Sequence, residues 1–485
     1  METQTQTVQQ RVFRQRHSAN PPGKRIVYWM QQAQRVAYNP ALDYAISKAV
    51  ETALPLQVYF FLSNAIPDAT AQHYRFMLEG LAETGRELQK LNIPLHIAVA
   101  DDGKIPEAPF KDAACLVMDH GYLDWQKRWR DEVYATCEQS GCSIVEIDTE
   151  ATVPVHLASP KEEYSAATLR RKILPLLNDF LLADPVKMEV RKTQLPSVKL
   201  ATEHSGSFED SKNLWDWAAI ELKLPAETGP GYAIQGSHSE ALYELDSFIR
   251  AKLKDYATMR NHPNLDIQSN MSAYLHFGQI SPIEIMHRVL EHTGTPPQAI
   301  PNMIADKNRL TGMAQSIGAY AEELIIRREL AMNFCHYNPA YENSNSLPQW
   351  ARQSLNDHLG DPRETDYSLD RLELGETEDI YWNAAQKQLL HSGKMHNYMR
   401  MYWGKRLLAW CPGVDEAYQI LAYLNNKYEL DGRDANGWAG IAWCFGKHDR
   451  PWATRPIYGM VRFMNAGGLN RKFDMEAYLK QWSKE

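Results

Sequence analysis

Several absences narrow the reading at once. The six cysteines are scattered, and no two form a C-x-x-C pair. Scattered thiols point to a reducing cytoplasm and argue against a disulfide framework or a zinc ribbon. No apolar run approaches the ~18 residues of a bilayer span, and "LQVYFFL" is among the longest. The first 24 residues are rich in Gln, Thr and Arg and lack an apolar core, so residues 1–24 read as a disordered tail and not as a secretory signal. No G-x-S-x-G elbow occurs. Gly393–Lys394 and Gly446–Lys447 both lack the glycine five positions earlier that a phosphate loop needs. "DGRDANG" puts Arg433 where a calcium ligand belongs and has no distal Glu. His391 and His396 are five apart and do not share a helix face, so no metal site is expected. Hydrolases, NTPases and metalloenzymes recede. An organic cofactor that carries the chemistry itself gains ground.

At 485 residues the chain is too long for one ordinary core, which predicts two domains. With 44% hydrophobic and 23% charged residues it has the composition of a soluble globular protein. The net charge is −8, but Lys387 to Lys472 alone carries +7, leaving −15 on the remainder. A basic carboxyl-terminal region on an acidic body fits a local polyanion site, or a solvated face whose charges merely scatter.

Five short β-rich runs, "RIVYWM", "LQVYFF", "LHIAVA", "ACLVMD" and "CSIVEI", fall between Arg25 and Ile147. Helical stretches such as Ala71–Leu91 and Trp125–Gln139 separate most of them. Such alternation predicts a doubly wound, Rossmann-like parallel sheet over residues 25–150. No G-x-G-x-x-G follows the first strand, so a dinucleotide site there is unsupported. Residues 151–212 are Pro/Ser/Lys-rich around one amphipathic piece and read as a linker. Residues 213–485 read as helical almost throughout. Leu242, Leu245, Phe248, Ile249 and Leu253 share one helix face, with Ser239 as its expected cap.

"HNYMRMYWGKRLLAW", from His396 to Trp410, mixes two tryptophans, two methionines and three basic side chains in one helical stretch. A core helix needs none of the charge, and a solvated helix needs none of the tryptophan. The stretch is either a crowded packing seam or the wall of a redox site. Eight of the 13 tryptophans follow residue 349.

The blocks "SNMSAYLHFGQISP", "EELIIRRELAMNFC", "YWNAAQKQLLHSGKMHNYMRMYWGKRLLAW", "YLNNKYELDGRDANGWAGIAW" and "HDRPWATRPIYGMVRFMNAGG" strongly resemble class II cyclobutane pyrimidine dimer photolyases. "VYWMQQAQRVAYNPAL" and "VPVHLASPKEEY" resemble the same family, so the likeness runs from about Lys24 to Phe473. Met271, Ala273 and His156 depart from the usual Leu, Pro and Trp, which touches local packing only. The resemblance implies an α/β antenna domain joined to a helical FAD-binding domain. It implies a monomeric, cytoplasmic, light-driven lyase that acts on DNA containing pyrimidine dimers, with reduced anionic FAD as the active cofactor. An antenna pigment such as a deazaflavin or a folate is a further expectation, its identity left open.

The resemblance also assigns roles. Tyr256, Ser269, Met271, Ser272 and Arg327 would contact the cofactor, although "SNMS" alone reads as a helix cap and Arg327 alone as a surface partner of Glu323. Arg400 and Asp431 match an ion pair beside the flavin ring, where an arginine favours the anion. Asn425 matches an amide near flavin N5, able to donate or accept. Trp403, Trp382 and Trp410 match a hole-hopping wire running from the flavin outward, with Trp410 near solvent. Glu323 would face the pyrimidine carbonyl, Trp443 and Met401 would wall the lesion pocket, and Asn397 and Tyr398 would border it. Trp452 and Arg462 would enter the space left in the duplex. Lys447, Arg450 and Arg455 would hold phosphates. Two rivals remain. A cryptochrome-like photoreceptor would keep flavin and wire without a competent pocket, and an enzyme for the 6–4 photoproduct would be expected to bring a histidine pair.

Overall fold

A computed structural model describes residues 7–483 apart from 20, 22, 101–102, 183–194, 196–210, 225–231, 364 and 366. Its six-stranded sheet comprises β1 (Val12–Arg16), β2 (Arg25–Trp29), β3 (Leu56–Leu62), β4 (Leu95–Val99), β5 (Ala113–His120) and β6 (Ser143–Asp148), in the order β1-β6-β5-β2-β3-β4. Strands β2 to β6 pair in parallel. All eight residues of β5 are buried, as a strand covered on both faces requires. Helices α1 (Pro40–Thr52) and α2 (Ala71–Lys90) pack on one face, and α3 (Asp124–Ser140) packs on the other. The doubly wound arrangement expected from alternating strands and helices is what forms.

The opening segment corrects one expectation. Residues 12–16 are not part of a disordered tail; they add an antiparallel edge strand to β6. Their apolar content is too low to signal a strand, but they borrow partners from the domain. Arg11 is buried and donates to the carbonyls of Ala151 and Thr152, both at 2.8 Å. Phe13 stacks on His120 with centroids 4.0 Å apart. Arg14 meets Glu146 at 3.1 Å.

After β6 the chain is helical. The amphipathic piece of the expected linker is α4 (Ala166–Leu181), whose Leu169, Ile173, Leu177 and Phe180 enter the same core as α5 (His238–Ala251). Most of the rest of that linker lies outside the described residues. The cap of α5 is Ser237, which accepts from Glu240 N, and not the expected Ser239. The helices that build the site are α6 (Gly312–Ala321), α7 (Arg328–Tyr337), α8 (Ile380–Ser392), α9 (Asn397–Trp410), α10 (Val414–Tyr428) and α11 (Ala435–Cys444). No helix among the described residues is long and apolar enough to cross a membrane.

The two halves are tied by buried polar contacts. Arg35 donates to Gly278 O at 2.9 Å and Thr149 O at 2.8 Å. Glu329 accepts from the backbone of Thr152 at 2.7 Å and Val153 at 3.2 Å. Gly278 has φ +65°, and a Cβ there would lie 1.6 Å from Gln32 O, so the domains meet at a point only glycine can occupy.

Glu146 is the anionic centre of the sheet end, reaching His120 at 2.6 Å, Arg130 at 2.8 Å and Arg14 at 3.1 Å. Burial alone would raise its pKa, but the His120 hydrogen bond and the Arg130 charge hold it down at about 2. The folded value lies below the unfolded one, so this stabilisation is present above pH 4.5 and is lost as pH falls toward about 2. We expect Glu146→Gln to cost about 3 kcal/mol near neutral pH in denaturant melts. The deficit should shrink on acidification across that window.

Candidate active site

Helix α9 is the pivot of the site. Met399, Tyr402, Trp403, Gly404, Lys405, Leu407, Leu408, Ala409 and Trp410 are all buried, so the helix is enclosed on nearly every side. A Cβ on Gly404 would lie 2.7 Å from Cys444 Sγ and 2.9 Å from Leu421 Cδ2, which shows how closely α10 and α11 press on it. The amino-terminal turn of α9 opens onto space. There a cavity of about 220 Å³ is lined by Tyr256, Arg260, Ser269, Met271, Ser272, Glu323, Lys394, Asn397, Arg400 and Asp431, among others. A second cavity of about 480 Å³ shares Gln268, Asn270, Ser272, Lys394 and Asp431 with it and extends to Asn264, His391 and Trp482.

Charge is concentrated on the shared wall. Arg400 contacts Glu429 at 2.5 Å and Asp431 at 3.2 Å. Burial opposes its charge, but Asp431 and Glu429 more than offset this and raise its pKa. Glu429 is almost fully enclosed. Burial pushes its pKa up, Arg400 opposes, the Asp431 charge adds to the rise, and the result is about 8. Lys394 donates to Asn270, which stands at φ +59°. Arg260 holds Glu323 at 2.5 Å.

Three buried polar atoms around these cavities have no hydrogen-bond partner among the described residues: Arg400 Nε, Asn264 Oδ1 and Trp482 Nε1. Unsatisfied buried groups are costly, and their clustering marks a place where a ligand completes them. Two cations, Lys394 and Arg260, with two donors and one acceptor suit a long anionic ligand carrying hydrogen-bonding rings. FAD fits that description.

Glu323 reaches the wall through an unusual turn. Between α6 and α7 the segment Glu322–Arg327 winds as a π-helix. Glu322 turns inward to Arg170 and to Lys307 at 3.1 Å, while Glu323 faces the cavity. Arg327 is carried to the surface, 3.6 Å from Glu322, and lines neither cavity. It is therefore neither the expected cofactor contact nor a partner of Glu323.

Behind the cavity the aromatic residues form a chain. Trp403 and Trp382 stack with centroids 5.9 Å apart and planes 19° apart, and Trp382 meets Trp410 edge-on at 5.4 Å. Trp403 Nε1 donates to Gln386 Oε1 at 3.1 Å, and Trp382 Nε1 donates to Trp403 O at 3.0 Å. Trp410 was expected near solvent but is 2% exposed, because Tyr367 lies 5.0 Å away and covers it. Asn425 is buried in α10 with its amide toward Asn426 Oδ1 at 3.3 Å, behind the cavity lining.

On the outer side lie Trp443, half-buried at the end of α11, and Met401. Arg462 sits over Trp443 at 5.8 Å and over Trp452 at 4.6 Å. Trp452 is 37% exposed. Tyr398 accepts from Lys472 Nζ at 2.9 Å, and Asn397 is exposed beside it. Lys447 is buried, donates to Ser346 O at 2.8 Å and pairs with Glu162, so it is not free to hold a phosphate as expected. Arg450 and Arg455 are exposed.

Glu429, Lys394 and Arg260 were not foreseen. A buried Glu two residues before Asp431 carries no pattern of its own, and Lys394 belongs only to an incomplete phosphate motif.

Comparison with known proteins agrees with this architecture. Residues 26–190 match the DNA photolyase family model. The chain is 42% identical to a deoxyribodipyrimidine photo-lyase of Methanothermobacter thermautotrophicus, over 94% of each protein. It is 38% identical to the Arabidopsis thaliana photo-lyase over 94% of this chain and 88% of that one. The crystal structure of a bacterial class III photolyase from Agrobacterium tumefaciens superposes with TM-score 0.67 at 18% identity, covering 96% of this chain and 87% of that one. At that identity the superposition speaks to the fold.

The raised pKa of Glu429 has a consequence for stability. Its folded value exceeds its unfolded value, so its contribution is complete below about pH 4.5 and is lost as pH rises through about 8. We expect the unfolding free energy of Glu429→Gln, relative to the parent protein, to improve steadily from about pH 5 to about pH 9. Paired thermal melts across that range check it.

Proposed function

Because this chain belongs to the DNA photolyase family, enzymes named deoxyribodipyrimidine photo-lyases, we propose that it repairs cyclobutane pyrimidine dimers in DNA by light-driven electron transfer from reduced FAD, as a class II member. The observation that carries this reading is the conjunction on α9. Arg400, with an unsatisfied Nε, borders a cavity, and Trp403, three residues further along the same helix face, begins a stacked aromatic chain.

When bound, reduced FAD would supply one-electron chemistry driven by blue or near-ultraviolet light, which opens two carbon–carbon bonds of the dimer with no net redox change. The chain's residues provide the rest. Lys394 and Arg260 are the cations for the pyrophosphate, with Ser269 and Ser272 beside them. Arg400 favours a negative ring, and Glu429 and Asp431 keep that arginine in place. Asn425 supplies an amide that can donate or accept. Trp410, Trp382 and Trp403 would relay electrons toward the cofactor, since indole has an accessible one-electron oxidation.

Glu323 stands at the cavity wall beside Arg260, and as a neutral acid it would donate to the pyrimidine carbonyl as negative charge develops there. Trp443 and Met401 wall the pocket for the extruded lesion. Trp452 and Arg462 fill the gap left in the stack, where an aromatic and a cation both find partners. The cleft at the carboxyl ends of β2 and β3 is where an antenna pigment would sit. Its lining of Trp29, Phe61, Tyr74 and Trp129 suits a planar ring, and His276 and Arg433 link it to the helical half.

Illuminated protein carrying reduced FAD should restore monomeric thymines in a dimer-containing oligonucleotide, read by chromatography of the product. Equal conversion in the dark overturns the proposal. Trp382→Phe should slow photoreduction of oxidised FAD by at least about an order of magnitude. Repair by the chemically pre-reduced variant should be nearly unchanged, which separates the wire from the repair step.

A further inference from the structure

Lys405 has no part in the function argued so far, yet it is 0% exposed, and no carboxylate pairs with it among the described residues. Its Nζ donates to Cys444 O at 2.9 Å and lies 4.6 Å from the centroid of Trp443. Its backbone carbonyl accepts from Tyr458 OH at 3.2 Å. One residue thus grips the end of α11 and also the segment that follows Trp452. A buried ammonium without a carboxylate is expensive, and a methionine of similar length would pack there at lower cost.

The cation continues outward in a regular alternation. Arg462 is 5.8 Å from Trp443 and 4.6 Å from Trp452, and Arg450 is 5.1 Å from Trp452. Each contact lies within the range over which a cation is attracted to an aromatic face. The segment carrying Trp452 and Arg462 is held in a tight form. Trp452 N donates to Met460 O at 2.9 Å, Arg455 pairs with Gly459, and Ile457 stands at φ +69°, a costly conformation for a β-branched residue.

We propose that Lys405 is a positioning residue of the lesion pocket: it is the inner rung of a cation–aromatic ladder, Lys405–Trp443–Arg462–Trp452–Arg450, that couples the pocket wall to the segment entering the duplex. The inference rests on the reading that Trp443 walls the pocket and Trp452 enters the stack. With the rung charged, Trp443 is fixed when Trp452 and Arg462 engage the gap, so extrusion and capture of the lesion proceed together.

Burial lowers the Lys405 pKa to about 8. The groups facing it are the Cys444 thiol, which burial pushes up to about 11, together with Asp449 and Arg462. The ladder should therefore lose its inner charge as pH rises through about 8. Glu429 titrates in the same window but on the Arg400 side, so its effect survives in a Lys405 variant.

The experiment measures affinity of the FAD-loaded protein for a dimer-containing duplex and for its undamaged counterpart, from about pH 6.5 to about pH 9.5. A 2-aminopurine opposite the lesion reports extrusion. The parent protein should lose preference for the lesion as pH passes about 8, with reduced 2-aminopurine emission. Lys405→Met should lose the share of that step that belongs to Lys405, leaving at most the Glu429 share, with a preference about fivefold to tenfold below the parent at low pH. A Lys405→Met profile that follows the parent's, or equal losses on both duplexes, overturns the proposal. Should Lys405→Met fail to fold, Trp443→Leu must remove the same share of the pH step, and its persistence overturns the ladder. Parent protein that never repairs or prefers the lesion rejects the repair reading itself. Intact repair without dependence on Lys405 rejects the ladder alone.

Discussion

The arrangement of Arg400 between Glu429 and Asp431 is the constraint on which the site depends. It spends desolvation energy on a guanidinium and two carboxyl groups at the wall of a cavity, and Arg400 still keeps one buried N–H unsatisfied. A packing device would have no reason to leave that donor open. The same loop ties the halves of the molecule together, since His73 of α2 contacts Glu429 O at 3.0 Å and Arg433 lines the cleft at the sheet. Charge at the cavity wall, docking of the domains and the sheet-end cleft therefore share one short segment, Glu429–Asp434.

The parallel sheet contributes to this by where its strands end. Asp119, at the end of β5, accepts from the backbone of Gln31, Gln32 and Ala33 at 2.7 to 2.9 Å, and so fixes the turn that follows β2. That turn carries Gln32, against which Gly278 closes. The helical half is in this way referenced to the topological switch point of the sheet, the customary place for a ligand in such folds.

Much of this was legible in the amino-acid sequence. The five buried strands announced themselves because parallel strands are apolar on both faces, and β5 shows this most plainly. Strand β1 did not, because it is an edge strand built from arginines whose partners, Glu146 and the carbonyls after β6, are distant in sequence. Family likeness brought Tyr256, Ser269, Met271, Ser272, Glu323, Asn397, Arg400 and Asp431 to one cavity. It misplaced Arg327, because a π turn cannot be read from residue spacing that assumes regular winding. Trp410 was expected at the surface for a related reason: nothing local shows that Tyr367, on another segment, closes over it. Glu429 and Lys394 were invisible because their importance comes from burial and tertiary neighbours.

The π turn at Glu322–Arg327 has one more implication, for how this lineage can vary. The widened turn accommodates an added residue in an otherwise ordinary helix, and it lets adjacent acids serve opposite sides. Removing any one residue would restore regular winding and rotate the preceding helix by about 100° against α7. Loss of a residue between Glu323 and α7 would in this way turn Glu323 by about 100° relative to α7 and away from the cavity wall. The side chains of Leu324, Ile325 and Ile326 can drift among apolar types, but the length of the segment cannot. Gap placement in an alignment is accordingly a sharper guide to a working site here than side-chain identity.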